Sequence, residues 1–264
     1  MSYTRLITCG DSFTEGMTDE LVDGNYRGWA DRVADEMAKA EPTFTYANLA
    51  IRGKLVRQVV AEQVPPGLDF VTGPETLFIF HAGANDVLRP KYKADEVLPL
   101  YADAVRRIAQ SGATVLLFTV LEKTANEGKA GKVWAARFGE FNANVRAVAK
   151  EVGAIVADAN EDGFLSDRRF LAKDRLHLNA LGHYRVAQGV LEKLGLPFDS
   201  SWRIPLEPAP KKSRWAESYE YLAWFITYLA PWIIRRLRGK SSGDGRSAKY
   251  PSPIAWPISS PTVH

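Results

Sequence analysis

Five short runs of almost unbroken apolar character recur along the first 160 residues: "RLITCG" (5–10), "FTYANLA" (44–50), "TLFIFHAG" (76–83), "TVLLFTV" (114–120) and "AIVADAN" (154–160). Each has the length of a strand, and the lack of polar alternation is expected of strands buried on both faces. Between them lie longer stretches with helical spacing: "GWADRVADEMAKAE", "KLVRQVVAEQ", "ADEVLPLYADAVRRIAQSG" and "AARFGEFNANVRAVAKEVG". The last two close on Gly112 and Gly153, residues suited to ending a helix. "NALGHYRVAQGVLEKLG" supplies one more helix. Strand and helix alternating in this way imply an α/β chain: a three-layer α/β/α sandwich around a five-stranded parallel sheet. Such sheets carry their chemistry at the carboxyl ends of the strands.

Composition divides the chain. Residues 203–264 hold ten Lys/Arg against four Asp/Glu, while the whole chain is only +3. The same stretch holds eight of the 15 prolines and four of the seven tryptophans. A boundary is therefore expected near 200–212, with "RIPLEPAPKK" as a linker. Residues 1–202 form the sheet domain and 203–264 a basic, aromatic-rich extension of a helix plus an extended arm. On this division the sheet does not need residues 240–264. No nucleic-acid-binding motif accompanies the basic residues, so nucleic acid is not an expected partner. The stretch 215–234, "WAESYEYLAWFITYLAPWII", is long enough to span a bilayer, but Glu217, Glu220 and Pro231 interrupt it. It is expected instead to pack on the body, to join a homo-oligomer, or to act as a membrane-surface or lid helix. The single cysteine, Cys9, excludes an internal disulfide and reads as core filling. The start, "MSYTRLITCGD", enters a strand directly and has no signal-peptide pattern, so a cytoplasmic location is expected.

Polar residues gather at the carboxyl ends of the runs. Ser12 follows the first, Gly53 the second, Asn85 and Asp86 the third, and Glu122 the fourth; Asp174 and His177 lie beyond the fifth. A serine hydroxyl is a poor nucleophile unless a base takes its proton, and histidine is the usual base. The chain has four histidines. His264 is terminal, His81 lies in a strand and His183 falls inside a helix. His177, three residues after Asp174, can receive its tautomer from that carboxylate and turn its other nitrogen to Ser12. Donors for a developing oxyanion are available from the Ser12 N–H, the Gly53 N–H and the Asn85 amide. Each feature alone has an ordinary structural reading: "GDS" a turn, the glycine a loop, "Asn-Asp" a helix cap, "DRLH" a surface ion pair.

Together and in order, "GDSFTEG", "NLAIRG", "GAND" and "DRLH" resemble the four signature blocks of the SGNH/GDSL hydrolases, with the family's four letters on Ser12, Gly53, Asn85 and His177. The likeness spans roughly residues 4–195, and Phe13 stands where the family's short name has leucine. It implies a flavodoxin-like sheet, Asp174 as third member of the triad, and hydrolysis of a carboxylic ester through an acyl-serine. No cofactor and no metal are implied, and the expected partner is a small-molecule ester or acylated substrate. An acyltransferase or thioesterase using the same site, or a non-catalytic flavodoxin-like binding protein, are the alternatives. Other polar residues read as structural: Asp11 and Asp86 as caps, Arg89 as a surface or ion-pair residue. "NEDGFLSD" (160–167) lacks full calcium-loop spacing, and 122–134 is either a pocket border or a solvated loop.

Overall fold

A computed structural model describes residues 2–122, 129–161, 167–210 and 213–256. Along the chain run β1 (Arg5–Gly10), α1 (Ser12–Glu15), a two-stranded hairpin of β2 (Leu21–Val22) and β3 (Asn25–Tyr26), α2 (Gly28–Ala40) and β4 (Thr45–Asn48). Then come α3 (Val56–Glu62), α4 (Val64–Asp69), β5 (Thr76–His81), α5 (Ala84–Val87), α6 (Ala94–Gln110) and β6 (Thr114–Phe118). The rest comprises α7 (Lys129–Val152), β7 (Ile155–Ala157), α8 (Ala180–Lys193), α9 (Arg214–Trp224), a π-helical turn (Phe225–Leu229), α10 (Ala230–Leu237) and β8 (Tyr250–Ala255).

The main sheet has the order β7-β6-β5-β1-β4-β8. Its first five members pair in parallel, as the apolar runs imply. Alternate residues enter opposite cores. Ile7, Cys9, Phe78, Phe80, Val115 and Leu117 pack with α3, α4, α6 and α7. Leu6, Leu77, Ile79, Leu116 and Phe118 pack with Trp29 and Val33 of α2 and Val190 and Leu191 of α8. Burial on both faces explains why the strands read as continuous apolar runs. β1 is flanked by β4 on one side and β5 on the other, so the winding reverses at β1. A crevice opens at such a reversal, beyond the carboxyl ends of the strands. Ser12 stands there.

The end of the chain departs from the expected arm. β8 is a sixth strand, antiparallel to β4, with Tyr46 opposite Ile254 and Thr45 opposite Ala255. Tyr250 and Trp256 pack their rings against Tyr46, and Trp256 Nε1 donates to Asp35 Oδ1 at 2.9 Å. Lys249 Nζ lies 2.7 Å from Asp31 Oδ1, both side chains buried. The sheet therefore includes residues 250–255, beyond the compositional step near 200–212. The proline-rich segment with Pro251 and Pro253 reads as an extended arm, yet an edge strand is where a sheet tolerates proline, because the missing N–H faces no partner. The predicted strands at 114–120 and 154–160 are also shorter than expected. Thr119, Asp158 and Asn160 turn their side chains to one another there and end the ladders.

Candidate active site

The "GDSFTEG" block is a strand-to-helix elbow. β1 ends at Gly10, Asp11 caps α1 by accepting from the Phe13 N–H at 3.1 Å, and Ser12 is the first helical residue. The first N–H groups of a helix have no partner within it, so the elbow aims donors outward beside the serine. Gly16 ends α1 at φ 91° and lies against Gly28 of α2, where a side chain on either would strike the other's backbone. That contact explains the second glycine of the block.

Ser12, His177 and Asp174 form one hydrogen-bonded line. Ser12 Oγ lies 3.0 Å from His177 Nε2, and His177 Nδ1 lies 2.6 Å from Asp174 Oδ2. The other carboxylate oxygen accepts the backbone N–H groups of Leu176 and His177, each at 3.0 Å. Burial acts to raise the Asp174 pKa, but the hydrogen bonds and charge interaction with His177 and the two backbone donors outweigh it. The net position is below the ordinary carboxylate value, so Asp174 is ionised at neutral pH. The turn holding it is tight: Arg175 has φ 59°, and Ala172 N–H donates to the His177 carbonyl at 2.8 Å.

Gly53 and Asn85 reach the same edge through different devices. Gly53 adopts φ 75° in the loop after β4. Next to it, the Arg52 N–H donates to Glu15 Oε2 at 2.6 Å, and the Arg52 guanidinium grips the same carboxylate, through Nε at 2.8 Å and through Nη2. The loop bearing Gly53 is thereby fixed to the helix that bears Ser12. The Asn85 amide donates to Asp11 Oδ2 at 3.0 Å and to the Lys54 carbonyl at 3.1 Å. Asp11 adjoins Ser12 and Lys54 adjoins Gly53, so this one nitrogen joins the neighbours of both.

The remaining sequence candidates take other places. Asp11 caps α1 as expected, and also holds Asn85. Asp86 accepts the Val56 N–H at 3.0 Å and so caps α3 rather than its own turn; burial pushes its carboxyl up to about 6. Arg89 is exposed. Glu122 Oε1 accepts from Asn142 at 2.9 Å and takes no part in the serine line. Cys9 is buried, and burial pushes its thiol pKa up. Residues 162–166 and 123–128 lie outside the described residues, and 129–134, expected as part of a loop, open α7 instead. Among those described, no group of three or more His, Cys, Asp or Glu side chains is arranged to hold a metal ion. Likewise, no described helix is long and apolar enough to cross a membrane.

The sequence reading missed Glu15 and Arg52. Their signal was present: Arg52 is the one charged side chain of "NLAIRG", Glu15 is a second acid beside Asp11 in "GDSFTEG", and the two are of opposite sign. It also missed Trp224, whose indole N–H donates to the Asp174 carbonyl at 2.8 Å while Arg175 stacks on its ring at 5.1 Å.

Comparison with known proteins places this geometry in context. The model of the GDSL-like lipase/acylhydrolase family matches residues 8–185. No curated protein matches the chain in sequence. Among solved structures, an alpha/beta hydrolase enzyme, LAE5, from the metagenome of Lake Arreo, Spain, is 21% identical, with TM-score 0.60 over 73% of this chain and 95% of its own. An acetylxylan esterase, Axe2, from Geobacillus stearothermophilus is 19% identical, with TM-score 0.59 over 74% of this chain and 96% of its own. At such identities these two establish a shared fold. Solved forms of the esterase include catalytic mutants altered at a serine, a histidine and an aspartate.

Proposed function

Because the chain belongs to the GDSL-like lipase/acylhydrolase family, and so to the ester hydrolases, we propose that it cleaves carboxylic esters through an acyl-enzyme on Ser12. The observation that carries this reading is the unbroken Ser12–His177–Asp174 line, at 3.0 and 2.6 Å. In the proposed reaction, Ser12 Oγ attacks the ester carbonyl while His177 Nε2 accepts its proton. Asp174, ionised and held by two backbone donors, keeps the imidazole in the tautomer that leaves Nε2 free to do so. Charge develops on the carbonyl oxygen, and the N–H groups of Ser12 and Gly53 and the Asn85 amide receive it. His177 then protonates the departing alcohol. Water, deprotonated by His177, attacks the acyl-serine and restores Ser12.

The Asn85 donor has a cost built in. The Asn85 amide hydrogens already serve Asp11 and the Lys54 carbonyl. The oxyanion draws one of them away as it forms, so that interaction is strongest in the transition state, where it speeds the reaction. A non-catalytic anion-binding reading leaves the Ser12–His177 hydrogen bond and the tautomer-fixing carboxylate without a purpose. The test uses a chromogenic acetyl ester and a fluorophosphonate probe on the wild type and Ser12→Ala. Ester turnover and labelling are both expected in the wild type and absent in the folded variant. Turnover that survives in Ser12→Ala contradicts the proposal.

A further inference from the structure

The helical segment from α9 to α10 crosses the mouth of the site. At Trp224 it is bonded to the turn of Asp174. Just past its end, Ser241 and Gly243 sit so close to Gly53 and Arg52 that a side chain on either glycine would collide with the other loop. The segment thus runs from the acid–base side of the site to the Gly53 side. Its outward face is the unusual one. Trp215, Tyr219, Leu222 and Ile226, spaced by four, three and four residues, form one stripe, and they are 88%, 75%, 55% and 61% exposed. Ile233 and Ile234 prolong exposed apolar surface beyond the π-helical turn. A helix on a globular body turns such a stripe inward. Here Trp224, on the opposite side, faces the body.

We infer that this stripe docks on an anionic lipid surface. Charge selects that occupant over a second copy of the chain. Lys211, Lys212 and Arg214 precede the stripe, and Arg235, Arg236, Arg238 and Lys240 follow it, with only Glu217 and Glu220 between. Two copies pairing stripe to stripe about a two-fold axis, parallel or antiparallel, bring basic ends against basic ends. A sheet of anionic headgroups complements both ends at once. Helix stability does not explain the first cluster either, since cations at a helix N-terminus oppose the helix dipole. Tryptophan and tyrosine in the stripe, with basic residues at its margins, match a helix lying in the plane of a lipid interface. Docked in this way, the segment holds the mouth of the site at the lipid surface.

The test is co-sedimentation of the full chain with vesicles of phosphatidylcholine alone and of phosphatidylcholine with phosphatidylglycerol, at low and high salt. It does not depend on the chemistry at Ser12. Binding to the anionic vesicles is expected to exceed binding to the neutral ones by about tenfold or more, and to fall steeply with salt. Trp215→Glu with Ile226→Glu removes apolar contact at exposed positions, and Arg235→Glu with Arg238→Glu reverses charge. Both pairs are expected to lose binding while keeping the wild-type circular dichroism. The salt and lipid series on the wild type decides the matter even if a variant misfolds. Absence of binding, or equal binding to both vesicle types, overturns the inference. So does a wild-type dimer that Trp215→Glu with Ile226→Glu converts to monomer, which gives the stripe to a second copy.

Discussion

Lys249→Ala is expected to destabilise the fold strongly, although residue 249 lies far along the chain from the signature blocks. In the wild type Lys249 Nζ lies 2.7 Å from Asp31 Oδ1, and the two side chains are 4% and 5% exposed. The same ammonium donates to the carbonyls of Tyr26 and Arg27, both at 2.9 Å. Tyr46 OH donates to Asp31 Oδ1 at 2.9 Å. Removing the cation leaves a buried carboxylate with a single neutral donor and two carbonyls without their partner. Breaking a buried pair in this way costs about 3–5 kcal/mol, a large part of a domain's usual ~5–15 kcal/mol. The loss depends on pH. Burial raises the Asp31 carboxyl and Lys249 pulls it back, leaving it at about 6. Its folded value therefore lies above the ordinary carboxylate value of ~3.9. Such an acid favours the fold below ~3.9, and that contribution is lost as pH rises through 6. Without Lys249 the folded value moves higher still, so the deficit of the variant is largest at pH 8 and shrinks toward pH 5. Urea unfolding at pH 8, 6.5 and 5, followed by tryptophan fluorescence, measures this. Asp31→Asn added to Lys249→Ala is expected to recover part of the stability at pH 8. A variant within about 0.5 kcal/mol of wild type at pH 8, or a deficit that does not change with pH, refutes the reasoning and with it the anchoring of β8 in the sheet.

Acid is expected to weaken the fold through His183, which accepts the Trp29 N–H on Nδ1, lies 3.1 Å from the Met17 carbonyl through Nε2, and is pushed down by burial to about 4. Its contribution is complete above ~6.5 and falls by up to about 3 kcal/mol as pH drops toward 4; chemical unfolding of His183→Gln, which should show a shallower pH dependence, checks it. Asn85→Ala is expected to lower kcat by ~10²–10³ with little change in KM, and steady-state kinetics that show only a raised KM remove the amide from the oxyanion site. Glu15→Gln weakens the grip on Arg52 that holds the Gly53 loop, and kcat is expected to fall more than KM rises while the melting temperature drops. Unchanged kcat in a destabilised protein makes that pair purely structural.

The parallel sheet was legible because its strands are buried on both faces, which writes them as unbroken apolar runs. The candidate site was legible for a different reason: polar residues follow the strand ends, so Ser12, Gly53, Asn85, Asp174 and His177 stand out in order. What escaped was pairing across distance. Glu15 and Arg52 are 37 residues apart, and neither shows its partner locally. Asp11 reads as a cap and is one, yet its second oxygen also holds Asn85. β8 escaped because proline argues against a strand in any position but an edge, and edge position is a property of the assembled sheet. Lys249 looked like one more charge in a basic tail, whereas its ammonium is buried on Asp31. Trp224 and Trp215 are alike in sequence, but one is bonded to the Asp174 carbonyl and the other lies 88% exposed.

Ser12 Oγ is the proposed carrier of the acyl group. Rapid mixing with a chromogenic ester, an acid quench within the first turnover, and mass analysis of the digested protein measure this directly. A burst of alcohol close to one equivalent is predicted, with the acyl mass on the peptide containing Ser12 and no such adduct in Ser12→Ala. Ester turnover with no acyl group on that peptide, or with the acyl group on another residue, contradicts it.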